Sequence, residues 1–171
     1  GQDFSYDYIV TNALNDLRKE TPQTKNSKLL NQIAHDSNLK AIGIFPNSIC
    51  FSFYNSRTKT IDKLLELDIL ETVIRLPPGI IQHTNITPII IVINKMKERP
   101  GFVHFIDAID CHDIHKNRKR LNIDQLFRLL KDDEDKVHQA YASNISIIEN
   151  NYNLTPNIYT QELISIPEGF H

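Results

Sequence analysis

Two uninterrupted apolar runs constrain the fold of this chain more than any other feature. They are Ala41–Phe45 and Ile89–Ile93, and each is followed by turn-forming or polar residues. A strand that is buried on both faces of a sheet has this composition, whereas a half-exposed strand alternates apolar and polar residues. Both runs are far shorter than the roughly 20 apolar residues of a membrane helix. We therefore expect a sheet-centred fold with no membrane association.

Further segments have the composition of strands or the spacing of amphipathic helices. The predicted strands are Tyr8–Val10, Thr72–Leu76 and Phe102–Ile106, and the predicted helices are Ser27–Leu39 (N-cap Asn26 or Ser27), Lys59–Asp68, Asn122–Asp132 and a shorter one around Val137–Ala142. In the helix Asn122–Asp132, the side chains expected to face inward are Ile123, Leu126, Phe127, Leu129 and Leu130. Alternation of strands and helices indicates a largely parallel sheet. The charged turn Met96–Gly101 predicts that the strands on either side of it pair as an antiparallel hairpin.

The length and charge of the chain limit its organisation and its partners. Its 171 residues suffice for one domain, which we divide into an α/β half-domain (1–108) and a segment of the same domain with a basic loop, helices and an extended C-terminal tail (109–171). Because the chain begins almost inside a strand, we expect it to be a portion of a longer protein. The net charge of -2 gives no global field for nucleic acid, so any such contact needs a local patch. Cys50 and Cys111 are far apart in the sequence, which is typical of reduced thiols in a cytoplasmic protein.

Asn12 is the first candidate functional residue. It follows the apolar run Tyr8–Val10, and ligands of open α/β sheets bind at the carboxyl ends of strands. A carboxamide offers one acceptor oxygen and two donor hydrogens, which suits an aminated base. The alternative is that Asn12 only caps the turn after the strand.

A basic run is the second candidate site. It comprises Lys116, Arg118, Lys119 and Arg120. Such a run can contact phosphates and so position a protein on DNA without reading its sequence. The alternative is a solvated loop that precedes a helix.

Two other groups of residues are weaker candidates. The segment Cys111–His115, with His104, lacks the paired spacing of structural zinc sites, so we expect no metal. Asp107 and Asp110 form a potential carboxylate pair, but nothing basic or nucleophilic is tied to them in the sequence.

Several segments resemble a known family. Asp7–Asn12 resembles the strand that precedes the catalytic Asn-Pro-Pro-Phe/Tyr motif of N6-adenine DNA methyltransferases. Four later segments resemble, in the same order, the family's Val-Pro-Asn turn, its Leu-Pro-Pro-Gly turn with the preceding helix and strand, its last hairpin strand, and its closing Asn-Tyr-Asn-Leu-x-Pro-x-x-Tyr motif: Ala41–Phe51, Leu64–Gly79, Thr84–Lys95 and Asn151–Tyr159. The ordered set is similar to the modification (M) subunit of type I restriction-modification systems.

The resemblance implies a fold, a reaction and site residues. The fold is the C-terminal portion of a Rossmann-like class I methyltransferase sheet, mainly parallel with an antiparallel hairpin, followed by a small helical tail. Such enzymes flip an adenine out of the duplex and transfer a methyl group from S-adenosylmethionine to its N6. The resemblance places the remnant of the catalytic motif at Asn12, with Ala13, Leu14 and Asn15 as its degraded part, and the substrate pocket at Pro78, Ile81 and Thr84.

The sequence departs from the family at the catalytic motif. Ala13 and Leu14 stand at the positions of the two prolines, and Asn15 stands at the position of the aromatic ring that stacks on the base. Ile81 stands where family members often have phenylalanine. The family's glycine-rich cofactor loop is not in this chain, so we expect no S-adenosylmethionine binding and no methylation by the chain alone.

Three functions therefore remain open. The first is part of a type I methyltransferase subunit, and the second is a degenerate methylase-like scaffold that binds DNA or a specificity subunit without catalysis. The third is an unrelated nucleotide-binding α/β domain. The expected partners are DNA and the specificity subunit, and we also expect self-association, because a half-sheet exposes an edge.

Overall fold

The computed structural model describes residues 5–14, 22–51 and 55–162, which form an α/β structure around one six-stranded sheet. In chain order, its helices and strands are β1 (Tyr6–Asn12), α1 (Pro22–Asp36), β2 (Ser37–Pro46), α2 (Asn55–Glu66), β3 (Leu70–Arg75), β4 (Pro88–Asn94), β5 (Phe102–Asp107), β6 (His112–His115), β7 (Arg118–Leu121), α3 (Ile123–Lys131), β8 (Gln139–Ser143), α4 (Asn144–Glu149) and α5 (Pro156–Glu162). A 3₁₀ turn, Asn47–Cys50, follows β2. None of the helices in these ranges has the length and apolar composition needed to cross a bilayer.

The sheet has the strand order β1-β2-β4-β3-β5-β8. Strands β1, β2, β3 and β5 run in one direction, and β4 and β8 run in the other. The predicted mainly parallel α/β fold is thus confirmed, but the predicted hairpin between Ile89–Ile93 and Phe102–Ile106 is wrong, because β3 lies between β4 and β5. The central position of β4 accounts for only part of its composition. Ile89, Ile91 and Ile93 are fully buried on one face, whereas Ile90 and Val92 on the other face are only half-buried, so the expected burial on both faces is incomplete. The second sheet is a hairpin of β6 and β7, in the segment that was predicted to be a basic loop.

Two hydrophobic clusters lie on opposite faces of the sheet, and the second covers only a part of its face. On one face, α1, α2 and α5 pack over the strands, and the ring of Tyr159 stacks on Phe105 with 4.1 Å between centroids. On the other face, Leu126 and Leu129 of α3 pack against the ends of β3 and β5. Ile123 and Phe127 were predicted to face inward but are exposed, because the buried stripe of this short helix is narrower than its apolar side.

Strand β1 is an edge strand, although the apolar run Tyr8–Val10 has the composition of a buried strand. It pairs with β2 alone among the described strands, and α1 covers one of its faces. On the other face Tyr8 is 69% exposed and Val10 is 76% exposed. The sheet therefore carries an exposed apolar edge.

Other element boundaries also differ from the prediction. Helix α1 begins at Pro22, a position that favours proline because the first helical N–H needs no partner. Asn26 and Ser27, the predicted N-caps, are therefore buried inside the helix. The segment Val137–Ala142 was predicted as a helix but contributes β8, and helix α5 occupies part of the predicted extended tail.

Asp68, two residues after the end of α2, is hydrogen-bonded to the turn between β4 and β5 and to the first residue of α4. Its carboxylate accepts hydrogen bonds from Lys97 Nζ at 2.7 Å, from Asn144 Nδ2 at 3.1 Å and from the Gly101 N–H at 2.9 Å. Burial of this carboxylate opposes its ionisation, but the three donors outweigh it and lower the pKa of Asp68 below its ordinary value. The charged form of Asp68 therefore stabilises the fold.

We predict that Asp68→Asn lowers the free energy of unfolding by about 1–3 kcal/mol at neutral pH, because an amide replaces a charged acceptor. Since the folded pKa lies below the ordinary value of 3.8, this stabilisation is present above pH 3.8 and is lost as the pH falls through the folded pKa. The difference from the unmodified protein should thus shrink in acid. Urea unfolding at pH 7 and pH 3 measures it, with Glu66→Gln, an exposed carboxylate at the last residue of α2, as control. An undiminished difference at pH 3 would contradict the assignment.

Candidate functional site

The carboxyl edge of the sheet is the edge at which β1, β2, β3 and β5 end. Strands β3 and β5 are joined there by an ion pair in which Arg75 Nε donates to Asp107 Oδ1 at 2.8 Å and Nη2 donates to Oδ2 at 2.7 Å. Both side chains are mostly buried, and bidentate pairs of this kind are strong and rigid. The expectation that nothing basic is tied to Asp107 was wrong, because the partner comes from the neighbouring strand and not from nearby sequence.

Asn12 is the last residue of β1 and is exposed at this edge. Its Oδ1 accepts a hydrogen bond from the Leu14 N–H at 2.9 Å, and the Ala13 N–H donates to Ile44 O at 2.8 Å. Neither bond forms when proline occupies the donating position, because proline has no N–H. Asn12 therefore caps its own turn through Leu14, whereas Ala13 continues the pairing with β2. Asn15 lies outside the described residues.

A cleft of about 740 Å³ opens beside the carboxyl end of β3. The loop Pro78–Asn85 forms one wall, and Asn117–Lys119 of the β6–β7 hairpin form the other. The cleft brings the three predicted pocket residues together with half of the predicted phosphate contacts: Pro78, Ile81, Thr84, Arg118 and Lys119. Lys116 and Arg120 are on the same hairpin but do not line the cleft.

The cleft wall depends on the predicted Pro-Pro-Gly turn. Gly79 has a φ of 77°, which a residue with a side chain rarely adopts, and Lys119 Cδ lies 3.7 Å from where a Cβ on Gly79 would stand. The loop that begins at this turn leads into β4, which is two strands away from β1 in the sheet. Two strand spacings are about 10 Å. Asn12 and the cleft therefore occupy the same edge of the sheet.

The basic run forms the tip and one strand of a hairpin, which we call the basic ribbon (His112–Leu121). Lys116 and Asn117 have φ values of 48° and 62°, as a two-residue type I′ turn requires. The ribbon is anchored at its base, where Leu121 packs against the cluster under α3. Sequence reasoning missed the ribbon because its strands are short, polar and charged, and Asn117 is the one residue typical of such a turn.

Arg57 connects two of the family-like segments from inside the protein. This residue of α2 is only 2% exposed, and its guanidinium donates to the carbonyls of Ile49 and Cys50 in the 3₁₀ turn and of Tyr152 after α4. Burial lowers the pKa of Arg57, and the carbonyl acceptors replace the water that it loses. Nothing in the sequence marks Arg57 as different from the other cationic residues.

The two cysteines are free, buried thiols. Burial raises the pKa of Cys50 to about 12, and burial also raises the pKa of Cys111, with Asp110 and Asp107 adding to the effect. Both thiols are therefore protonated at neutral pH, which excludes a thiolate nucleophile. Within residues 5–14, 22–51 and 55–162, no three His, Cys, Asp or Glu side chains converge as a metal site requires.

The chain matches the family model described as N-6 DNA methylase over residues 5–164. It belongs to this family, as the sequence resemblance indicated, and methyltransferases of the family normally use S-adenosylmethionine. The glycines of the described residues do not form a loop that could hold this cofactor, because Gly43 lies within β2 and Gly79 and Gly101 are isolated turn residues.

Solved structures share the fold. The type I restriction-modification methyltransferase subunit from Streptococcus thermophilus has a TM-score of 0.74 and 24% identity, over 93% of this chain and 39% of that one. A modification subunit of a putative type I restriction enzyme from Vibrio vulnificus has a TM-score of 0.63 and 16% identity, over 86% and 35%. The type I restriction enzyme EcoKI M protein has a TM-score of 0.68 and 13% identity, over 94% and 47%. The chain therefore spans less than half of each of these proteins.

Proposed function

We propose that this chain is part of the methyltransferase subunit of a type I restriction-modification system and that it lies against DNA without methylating on its own. The observation that carries the proposal is the cleft, which places the Pro78–Asn85 loop opposite the cations Arg118 and Lys119. In a family that acts on adenine in DNA, such a cleft offers an apolar wall to a base and positive charge to its phosphates.

The Asn12 loop is the reason for proposing that the chain is inactive. The carboxamide oxygen that would accept a hydrogen bond from adenine N6 is already bonded to the Leu14 N–H. Asn15 supplies no aromatic ring, and the described glycines form no cofactor loop. Base capture, cofactor binding and rigidity of the loop are thus all weakened.

The second candidate function is a degenerate scaffold that binds DNA or a specificity subunit and takes no part in catalysis in any assembly. The bond between Asn12 and Leu14 favours it, since this bond assigns Asn12 a capping role. The two functions differ in whether methylation appears when the missing part of the enzyme is supplied.

DNA binding tests the proposed function, and it also tests the second function in the form in which the scaffold binds DNA. The chain should bind an adenine-containing duplex in the non-specific range, with a Kd of about 10⁻⁴–10⁻⁶ M that weakens with added salt. Fluorescence anisotropy with a labelled duplex measures this affinity. Absence of binding at low salt would refute the proposed function and would leave the second only as a scaffold that binds a specificity subunit.

The exposed edge strand also predicts self-association of the chain. Among the described strands, β1 has a partner on one side only, and Tyr6, Tyr8 and Val10 are exposed along it. We predict concentration-dependent oligomers that Val10→Lys reduces, because lysine on an edge strand opposes pairing. Light scattering after size-exclusion chromatography measures the mass, with Val137→Lys, exposed away from this edge, as control. A monomer at all concentrations would contradict the prediction.

A further inference from the structure

The basic ribbon contains four cations and one carboxylate, so it carries a net positive charge. Its residues from Asp113 to Arg120 are all exposed. In the described part of the chain, none of its four cations lies within ion-pair distance of a carboxylate. Asp113, which carries the ribbon's negative charge, accepts hydrogen bonds from Asn122 Nδ2 at 3.1 and 3.0 Å. The clustered cations repel one another, so an anionic partner would stabilise the ribbon.

The strand register places the cations on opposite faces of the ribbon. Arg118 stands opposite His115 and Arg120 opposite Asp113, whereas Lys119 stands opposite Ile114. Directly opposed residues share a face, so Arg118 and Arg120 lie on one face and Lys119 on the other. The Lys119 face is the one turned towards the protein, because Lys119 approaches Gly79 and Leu121 packs against the cluster under α3. Arg120 lies on the other face and, unlike Arg118, does not line the cleft.

This arrangement discriminates between two ways of contacting DNA. A ribbon that lies flat on one backbone needs its cations on one face. A ribbon between two backbones needs cations on both faces. The major groove is about 12 Å wide and about 8.5 Å deep and admits a two-stranded ribbon. Four residues of strand extend about 14 Å, enough to cross that depth.

We propose that the basic ribbon enters the major groove of duplex DNA beside the cleft, with Lys119 contacting the strand that enters the cleft and Arg120 contacting the opposite strand. This inference rests on the proposed function, because it takes DNA as the partner. It goes further in assigning the neighbouring residues Lys119 and Arg120 to different DNA strands.

The test compares Lys119→Gln with Arg120→Gln in the full chain. Both residues are exposed, so the variants should fold, and circular dichroism verifies this. Anisotropy from about 50 to about 200 mM salt gives the slope of log Kd against log salt, which changes by about 0.9 per phosphate contact on duplex and about 0.7 on single strands. We expect both variants to lose about 0.9 on duplex and only Lys119→Gln to lose about 0.7 on a single strand.

The control is Lys63→Gln on α2, which packs on the other face of the sheet, and it should leave both slopes unchanged. Equal losses for the two ribbon variants on single strands, or no loss on duplex, would overturn the groove assignment while leaving DNA binding intact. No duplex binding by the unmodified chain would overturn the proposed function itself, and the ribbon proposal with it.

Discussion

Replacing Arg57 with alanine is expected to lower the free energy of unfolding by about 3–5 kcal/mol. The substitution leaves the carbonyls of Ile49, Cys50 and Tyr152 without this donor in a buried site and removes a large, fully buried side chain. The 3₁₀ turn after β2 and the segment after α4 should then separate. For a chain of this size the melting temperature should fall by about 6–20 °C.

Urea and thermal unfolding measure this effect, and two variants calibrate it. Arg57→Lys should be intermediate, because one ammonium group does not reproduce the planar fork of donors. Lys59→Ala, an exposed position on the same helix, should change stability by no more than about 0.5 kcal/mol. If Arg57→Ala is as stable as Lys59→Ala, Arg57 is not the connection between these segments.

The second prediction with a large effect concerns the loop after β1. Replacing Ala13, Leu14 and Asn15 with the residues of the family's motif should strengthen the binding of an adenine base. In the variant Ala13→Pro, Leu14→Pro, Asn15→Phe, Leu14→Pro removes the N–H that occupies Asn12 Oδ1. The new phenylalanine supplies a base-stacking ring worth about 1–3 kcal/mol, which is roughly 5- to 150-fold in affinity. Ala13→Pro loses the bond to Ile44 O and should cost about 1 kcal/mol of stability.

The measurement is the affinity for a duplex that holds one unpaired adenine, since an unpaired base costs less to flip. Leu14→Ala is the matched control, because it shortens the side chain but keeps the N–H, and it should gain nothing. A second triple variant, with Asn15→Ala instead of Asn15→Phe, separates the contribution of the aromatic ring from that of the two prolines. No gain by the full variant would mean that this loop is not the adenine site.

The strands and helices with the strongest patterns were predictable, but their partners were not. The apolar run Ile89–Ile93 correctly predicted a strand, yet its five consecutive apolar residues also favour a central position, which the hairpin prediction did not take into account. The segment Val137–Ala142 does alternate, with Ala140 and Ala142 buried and Tyr141 exposed, as a strand requires. The segment is short and lies among turn-forming residues, so its two-residue alternation was not recognised in the sequence.

Asn12 and the basic run were chosen from local pattern and the pocket residues from family resemblance, and the roles of all of them stay predictions. Asn12 lies at the end of β1 as expected, but its bond to Leu14 depends on loop geometry that no motif specifies. The cleft joins residues about 35 positions apart, because a hairpin that looked like a loop folds against the Pro78–Asn85 wall. The contacts of Arg57 and the Arg75–Asp107 ion pair could not be predicted from the sequence, because each contact joins residues of different helices, strands or loops.

Methyl transfer tests the central claim, that this family member keeps the methylase scaffold without the catalytic loop. The unmodified chain is mixed with adenine-containing duplex and labelled S-adenosylmethionine, without any other protein. A subunit with an intact Asn-Pro-Pro-Phe motif serves as the positive control. The account predicts no label in adenine above the background without the chain. Incorporation of label at adenine N6 that depends on the unmodified chain would contradict it.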